Sequence, residues 1–156
     1  MIQRVQSIYL FLAAVCILLV FAFDIAIFTD AAGIESNLSL YKLLKANGEI
    51  GDVTFGMAPV IALSVTAALF LDTIFMFKNR SLQIKLVRVC YGLIMVCVGL
   101  LWYFVDQNYW ELEIPEIEFT YWISFFLPFA AFAFAMLANR GILADEKLVK
   151  SLDRLR

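Results

Sequence analysis

The sequence predicts an all-α membrane protein, a four-transmembrane-helix antiparallel bundle with both termini on the cytoplasmic side. Three observations carry this. Of 156 residues, 63% are hydrophobic, whereas a soluble domain sits near one half. Four apolar runs, residues 5–28, 55–77, 86–105 and 119–138, each reach the roughly 20 residues that cross a bilayer. The two signs of charge, finally, are segregated between alternate connections. Mean hydropathy is +0.88, and no composition shift marks a separate soluble domain, so residues 1–156 read as one membrane domain.

The charges set the orientation. Of the twelve Lys and Arg, Arg4 precedes the first run, Lys78, Arg80 and Lys85 lie between the second and third, and Arg88 stands at the start of the third. Arg140, Lys147, Lys150, Arg154 and Arg156 follow the fourth. Only Lys42 and Lys45 fall on the other side. Basic segments stay in the cytoplasm, which places the 78–85 connection and the 139–156 tail inside. The connections 29–54 and 106–118 are then outside, and they carry most of the acids. The first run is longer than the about 7–15 residue core of a signal peptide, so it is expected to remain as a span.

Each element follows from local pattern. In the first outer loop, "LSLYKLLKANGEIGDVTF" places Asn47-Gly48 between mixed apolar segments, a hairpin signature; a helix over "SLYKLLKA" is the competing reading. The second outer loop contains "ELEIPEIEF", where Glu and apolar residues alternate around Pro115, as on an edge strand. These two loops form either a small extracytoplasmic sheet or two solvated connections. The middle link is short, which makes neighbouring spans antiparallel. Small residues recur at helix-packing intervals: Ala22/Ala26, Ala62/Thr66, Ala131/Ala135 and Gly92/Gly99. Trp102, Tyr103, Trp110, Tyr121 and Trp122 gather near the outer ends, as in an interfacial aromatic belt. Asn79-Arg80 and Asn139-Arg140 raise the idea of an internal duplication, although the halves do not align.

Three segments, "MIQRVQSIYLFLAA", "FKNRSLQIKL" and "LANRGILADEKLVKSLDRLR", together with a fourth span containing Pro128, resemble the small integral membrane proteins of Bacteroidota grouped as domain-of-unknown-function family 4293. The resemblance covers essentially the whole chain. It implies a bacterial inner-membrane protein and brings no catalytic residues with it.

Asp24 and Asp72 are the acids inside the apolar runs, and intramembrane ionisable groups are functional candidates by default. Depth argues against transport. Counted from the run centres, Asp72 lies roughly 9 Å inward and Asp24 roughly 11 Å outward, close to opposite faces. Pairing with a basic neighbour such as Lys78, Arg80 or Arg88 is the expected role of Asp72. Cys16, Cys90 and Cys97 form no Cys-x-x-Cys pair. Cys90 and Cys97 share a face about 10 Å apart along the helix, too far for a disulfide, so all three read as packing residues. The chain has no histidine, which removes Ser-His and Cys-His catalysis and the usual haem ligand. No cofactor or metal site is expected. Glu111, Glu113, Glu116 and Glu118 form an outer acidic surface; water is their expected partner, with a cation such as Ca²⁺ or a basic protein the alternative.

In the tail, Leu148, Leu152 and Leu155 recur at helical spacing, with acids early and basic residues late, as the helix dipole favours. So short a helix is marginal alone and must lean on lipid, on the underside of the basic 78–88 loop, or on a partner groove; Arg4, Lys78, Arg80, Lys85, Arg88 and Arg140 form a cytoplasmic basic surface. The expected partners are the bilayer and one or more membrane proteins, with no nucleic acid. The leading expectation is a non-catalytic accessory or scaffold subunit of a larger inner-membrane complex. The alternatives are a small homo-oligomeric transporter or channel using Asp24 and Asp72, and a redox enzyme, which the cysteine spacing disfavours.

Overall fold

A computed structural model describes residues 2–30, 33, 35–44, 50–51, 56–77, 79–111 and 118–153. In chain order these form α1 (Ile2–Leu19), β1 (Ala26–Thr29), β2 (Glu35–Leu38), β3 (Leu43–Leu44), β4 (Ile50–Gly51), α2 (Met57–Phe75), α3 (Arg80–Glu111), β5 (Glu118–Tyr121) and α4 (Ile123–Asp153). The helices pack in a ring, α1 on α2, α2 on α3, α3 on α4 and α4 back on α1. The last of these contacts is the most extensive.

Three helices are long and apolar enough to cross a membrane: α2, α3 and α4, while the described apolar part of α1, Val5–Leu19, is shorter. The bundle surface is itself apolar. Ile8, Phe11, Ile61, Val89, Met95, Val96, Phe126 and Phe129 are exposed, and Phe75 is 75% exposed. A face of this kind belongs in lipid rather than in water, and membrane association follows.

The first apolar run does not stay helical through residue 28. α1 tightens at its end, where the amides of Val20, Phe21 and Ala22 each bond the carbonyl three residues back, a common way to satisfy the last turn. The chain then leaves as β1, because Ile25 donates to Leu38 and both edges of β1 find partners. Asp24 accordingly sits in the turn before β1, half-buried, rather than within a helix.

The fourth run differs in the same way. Phe119–Tyr121 are strand, α4 starts at Ile123, and it continues unbroken to Asp153. The tail is therefore the end of α4 and not a separate helix. α3 likewise begins at Arg80, takes in most of the expected 78–85 connection, and runs on through residues 106–111. At 32 residues it is about 48 Å long, well beyond the about 30 Å of a hydrocarbon core.

Strands from the first and second long connections and the ends of their flanking apolar runs meet in one antiparallel sheet of order β4-β3-β2-β1-β5. β5, from the second connection, is an edge strand and pairs with β1 from Ala26↔Tyr121 to Thr29↔Glu118. The hairpin strands β3 and β4 flank Asn47-Gly48, which lies outside the described residues, as does Pro115. Between β1 and β2, the Gly33 amide bonds the Asp30 carbonyl. Gly33 has φ +75°, a conformation that glycine adopts without steric cost.

Alternation decides which sheet face meets the bundle. Ala26, Phe28, Leu38 and Leu43 are buried, while Glu35, Glu118 and Thr120 are exposed. Register places Tyr121, Ala26, Leu38 and Leu43 in one inward row, with Phe119 and Phe28 in the next. The Phe28 ring lies 6.2 Å from that of Tyr109 on α3, which anchors the sheet to one end of the bundle.

Inside the ring, Leu10, Ile17, Phe70, Ile94, Leu101 and Phe104 are fully buried. α1 and α4 both bury alanines, Ala13 and Ala14 against Ala131, Ala135 and Ala138; small side chains let helix backbones approach closely. Gly92 and Gly99 instead face outward, with open space where a Cβ would stand. The Asn-Arg pairs are not equivalent either, since Asn79 precedes α3 while Asn139 lies within α4.

Three hydroxyls of α2 are satisfied locally. Ser64, Thr66 and Thr73 each donate to the carbonyl four residues back. Thr66 Oγ1 also lies 3.4 Å from Cys97 Sγ, and the Tyr91 hydroxyl reaches the Ala135 carbonyl at 3.2 Å, so α2–α3 and α3–α4 each gain a polar contact.

Phe28→Ala removes the ring joining sheet to bundle. The expected loss is about 3–5 kcal/mol, read by unfolding in mild detergent, with faster amide exchange in β1 than in α3.

Candidate functional site

Polar and aromatic chemistry concentrates at the two ends of the bundle. At the end away from the sheet, Gln6 of α1 and Asp145 of α4 are buried together, and Gln6 Nε2 donates to Asp145 Oδ2 at 2.7 Å. One turn before Asp145, Gly141 leaves room for this contact: a Cβ there would stand 2.8 Å from Gln6 Cγ. From α3, Arg80 Nη1 reaches the Asp145 backbone carbonyl at 3.4 Å. Two helices, α1 and α3, thus close on one residue of α4.

The turn that presents Arg80 is itself fixed. Asn79 Oδ1 accepts the Leu82 amide at 3.3 Å, an N-cap arrangement. Gln83 Nε2 donates to the Thr73 carbonyl at 3.2 Å and is buried, which ties the start of α3 to the end of α2. The lower part of α4 therefore leans on its own chain, through α1 and the start of α3.

Beyond this clasp, α4 is exposed. Leu148 is 57% exposed and Val149 is also open. The side chain of Leu152 and all of Leu155 lie outside the described residues. Lys85, Arg88 and Arg140 are exposed around the same end, Arg80 is half-buried, and the side chains of Arg4 and Lys78 are outside the described set. Asp72 sits on the exposed flank of α2, while the guanidinium of Arg80 is directed to α4. Asp24 is at the opposite, sheet end, so the two intramembrane candidates do not converge.

At the sheet end, Trp102, Val105, Asp106 and Tyr109 of α3 face Phe119 and Tyr121 of β5 across a cleft of about 210 Å³. The rings are ordered. Phe119 meets Tyr109 at 5.5 Å and Tyr121 at 5.4 Å, both edge to face, and Tyr121 stacks on Phe125 at 4.1 Å. Burial pushes the Tyr121 phenol above its ordinary value; the Asp106 carboxylate pushes the same way, and the facing Trp102 indole N–H works against both. Glu118 is exposed on the outward face of β5; Glu113 and Glu116 and the side chain of Glu111 lie outside the described residues.

Sequence reading named neither site as a unit. The cleft was legible in part, since residues 102, 105, 106 and 109 follow i, i+3, i+4, i+7 spacing and 119 and 121 share a strand face. Gln6 and Gly141 carried no signal, being 135 residues apart in the chain by subtraction of their numbers. The three cysteines are buried, free thiols. Among the described residues, no three Cys, Asp or Glu side chains gather in a metal-binding arrangement.

An apolar-surfaced ring of four helices, closed at one end by a five-stranded sheet, defines a small membrane-associated α-helical protein. Its sequence matches the domain-of-unknown-function family DUF4293 over residues 2–155, and the chain belongs to that family. No curated protein matches it.

Two outcomes test these sites. Gln6→Leu leaves a buried carboxylate without its amide donor, at an expected cost of about 1–3 kcal/mol. A double-mutant cycle with Asp145→Ala should return a coupling of about 0.5–3 kcal/mol. Tyr121, with its folded pKa raised above the model-compound 10.0, contributes stability that is present below the unfolded pKa and lost as pH rises through the folded one. Unfolding midpoints measured across that alkaline range should fall less steeply for Tyr121→Phe than for the native chain.

Proposed function

We propose that this protein is a non-catalytic, multi-pass accessory subunit of a bacterial cytoplasmic membrane, which holds a partner membrane protein through the exposed end of α4. The observation that carries the reading is the clasp. Gln6, Arg80 and Gly141 fix α4 at Asp145, and the next turns then present Leu148 and Val149 to the outside. Exposed apolar side chains on a helix held by its own chain are what a helix-in-groove contact uses.

Charge supports both termini being cytoplasmic. Arg80, Lys85, Arg88, Arg140 and Lys147 crowd the clasp end, whereas Asp30, Glu35, Asp106 and Glu118 belong to the sheet end; basic residues stay on the cytoplasmic side. α4, at 31 residues, is about 46 Å long, so its last turns project past a hydrocarbon core of about 30 Å. A transport reading through Asp24 and Asp72 has weaker support, because the two carboxylates stand at opposite ends.

A photo-crosslinking side chain at Leu148 tests the proposal in living cells, with Val65, exposed in the middle of α2, as the lipid-facing control. The expected result is a discrete protein adduct from position 148 and none from 65. Lipid adducts alone from both positions would overturn the reading.

A further inference from the structure

We propose that the cleft between α3 and β5 is a binding site for the ammonium group of an aminophospholipid headgroup. It rests on the membrane placement of the bundle, though not on any protein partner.

The lining defines the ligand. Four aromatic side chains, Trp102, Tyr109, Phe119 and Tyr121, surround the cleft, with Asp106 the one charged member of its lining. Aromatic faces attract a cation through their quadrupoles, more strongly where water is excluded, and a carboxylate adds a direct charge partner. Among the described residues no basic side chain lines the cleft, so none of them neutralises Asp106 within the lining.

A single carboxylate among rings is poor chemistry for a divalent metal, which takes six or more oxygens as Ca²⁺ or octahedral oxygen ligation as Mg²⁺. It is good chemistry for an organic ammonium, whose positive hydrogens and carbons suit both carboxylate and ring.

Size and depth select the source. A space of about 210 Å³ is smaller than the about 300–1,000 Å³ of typical small-molecule pockets. It admits an amine with its short carbon link and leaves acyl chains outside. Asp106 is five positions before the end of α3 at Glu111, and α3 outruns the hydrocarbon core. Exposed Trp102, Trp110 and Trp122 surround this level, where indoles settle at headgroups. An ammonium entering from the lipid side meets Trp102 and Phe119, which are both partly open, and then Asp106.

The test uses the full chain, purified alone and reconstituted in nanodiscs holding equal parts phosphatidylethanolamine and phosphatidylglycerol, with retained lipid read by native mass spectrometry. The expected result is a preference for phosphatidylethanolamine of about tenfold, the size of one desolvated cation–π contact. Asp106→Asn, which keeps shape and removes charge, should abolish it, while Glu118→Gln, outside the cleft, should leave it intact. Unfolding midpoints of both variants establish that each is folded. Equal retention of the two lipids by the native chain overturns the proposal, and so does a preference that survives Asp106→Asn. Free ethanolamine that binds the chain in lipid-free detergent and displaces the lipid at similar concentration would overturn the headgroup as the source. No partner protein is present, so failure here is distinct from failure at Leu148.

Discussion

The whole architecture depends on where backbone amides and carbonyls find partners in a chain so rich in apolar side chains. A backbone polar group that leaves a helix in hydrocarbon must bond to something else. α1 resolves this by tightening its last turn at Val20–Ala22 and passing at once into β1. β1 then pairs on both sides, so Ala26–Thr29 bond to β2 and β5 along their length. Because β2 comes from the first connection and β5 from the second, this one strand unites the two halves of the chain. The Trp122 amide on the Ile25 carbonyl carries the pairing into the start of α4.

The two ends of the bundle solve different problems. At the clasp, a buried carboxylate needs a donor, and Gln6 supplies it across the α1–α4 interface. Gly141 is the condition for that contact, since any side chain would occupy the volume of Gln6 Cγ. At the sheet end, closure is by rings. Phe28, Tyr109, Phe119, Tyr121 and Phe125 form a continuous series of aromatic contacts, and the register of β1 with β5 sets which rings lie side by side. Mixed polar bonds hold the non-sheet end while apolar surface holds the other. That difference suits a molecule whose middle faces lipid, where unpartnered buried polar groups are costly.

Particular residues show how far the sequence could be read. The apolar runs at 55–77 and 86–105 anticipated α2 and α3 well, because helix length and composition are local properties. Of the alternating stretch "ELEIPEIEF", Glu111 ends α3, residues 112–117 lie outside the described residues, and only Glu118 and Phe119 fall in the edge strand β5. The runs at 5–28 and 119–138 were each read as one span, yet residues 26–29 and 119–121 are strand. Hydropathy cannot separate a buried strand from the end of a buried helix, since both are simply apolar. The Gly92/Gly99 spacing suggested a packing seam, and both glycines face outward; spacing states which residues share a face and not what that face meets.

The sequence left the two longer connections open between strands and solvated loops; by itself it determined four apolar runs, the sharp division of basic from acidic connections, and membership of one family. These follow from composition and short-range periodicity, which each segment carries alone. Only the tertiary structure decided that β1 joins both connections, that α4 runs unbroken through the tail, that Gln6 meets Asp145, and that Asp106 stands among four rings. Those facts depend on pairings between residues far apart in the chain. A contact of that kind is set by register and helix rotation, and no single segment contains either.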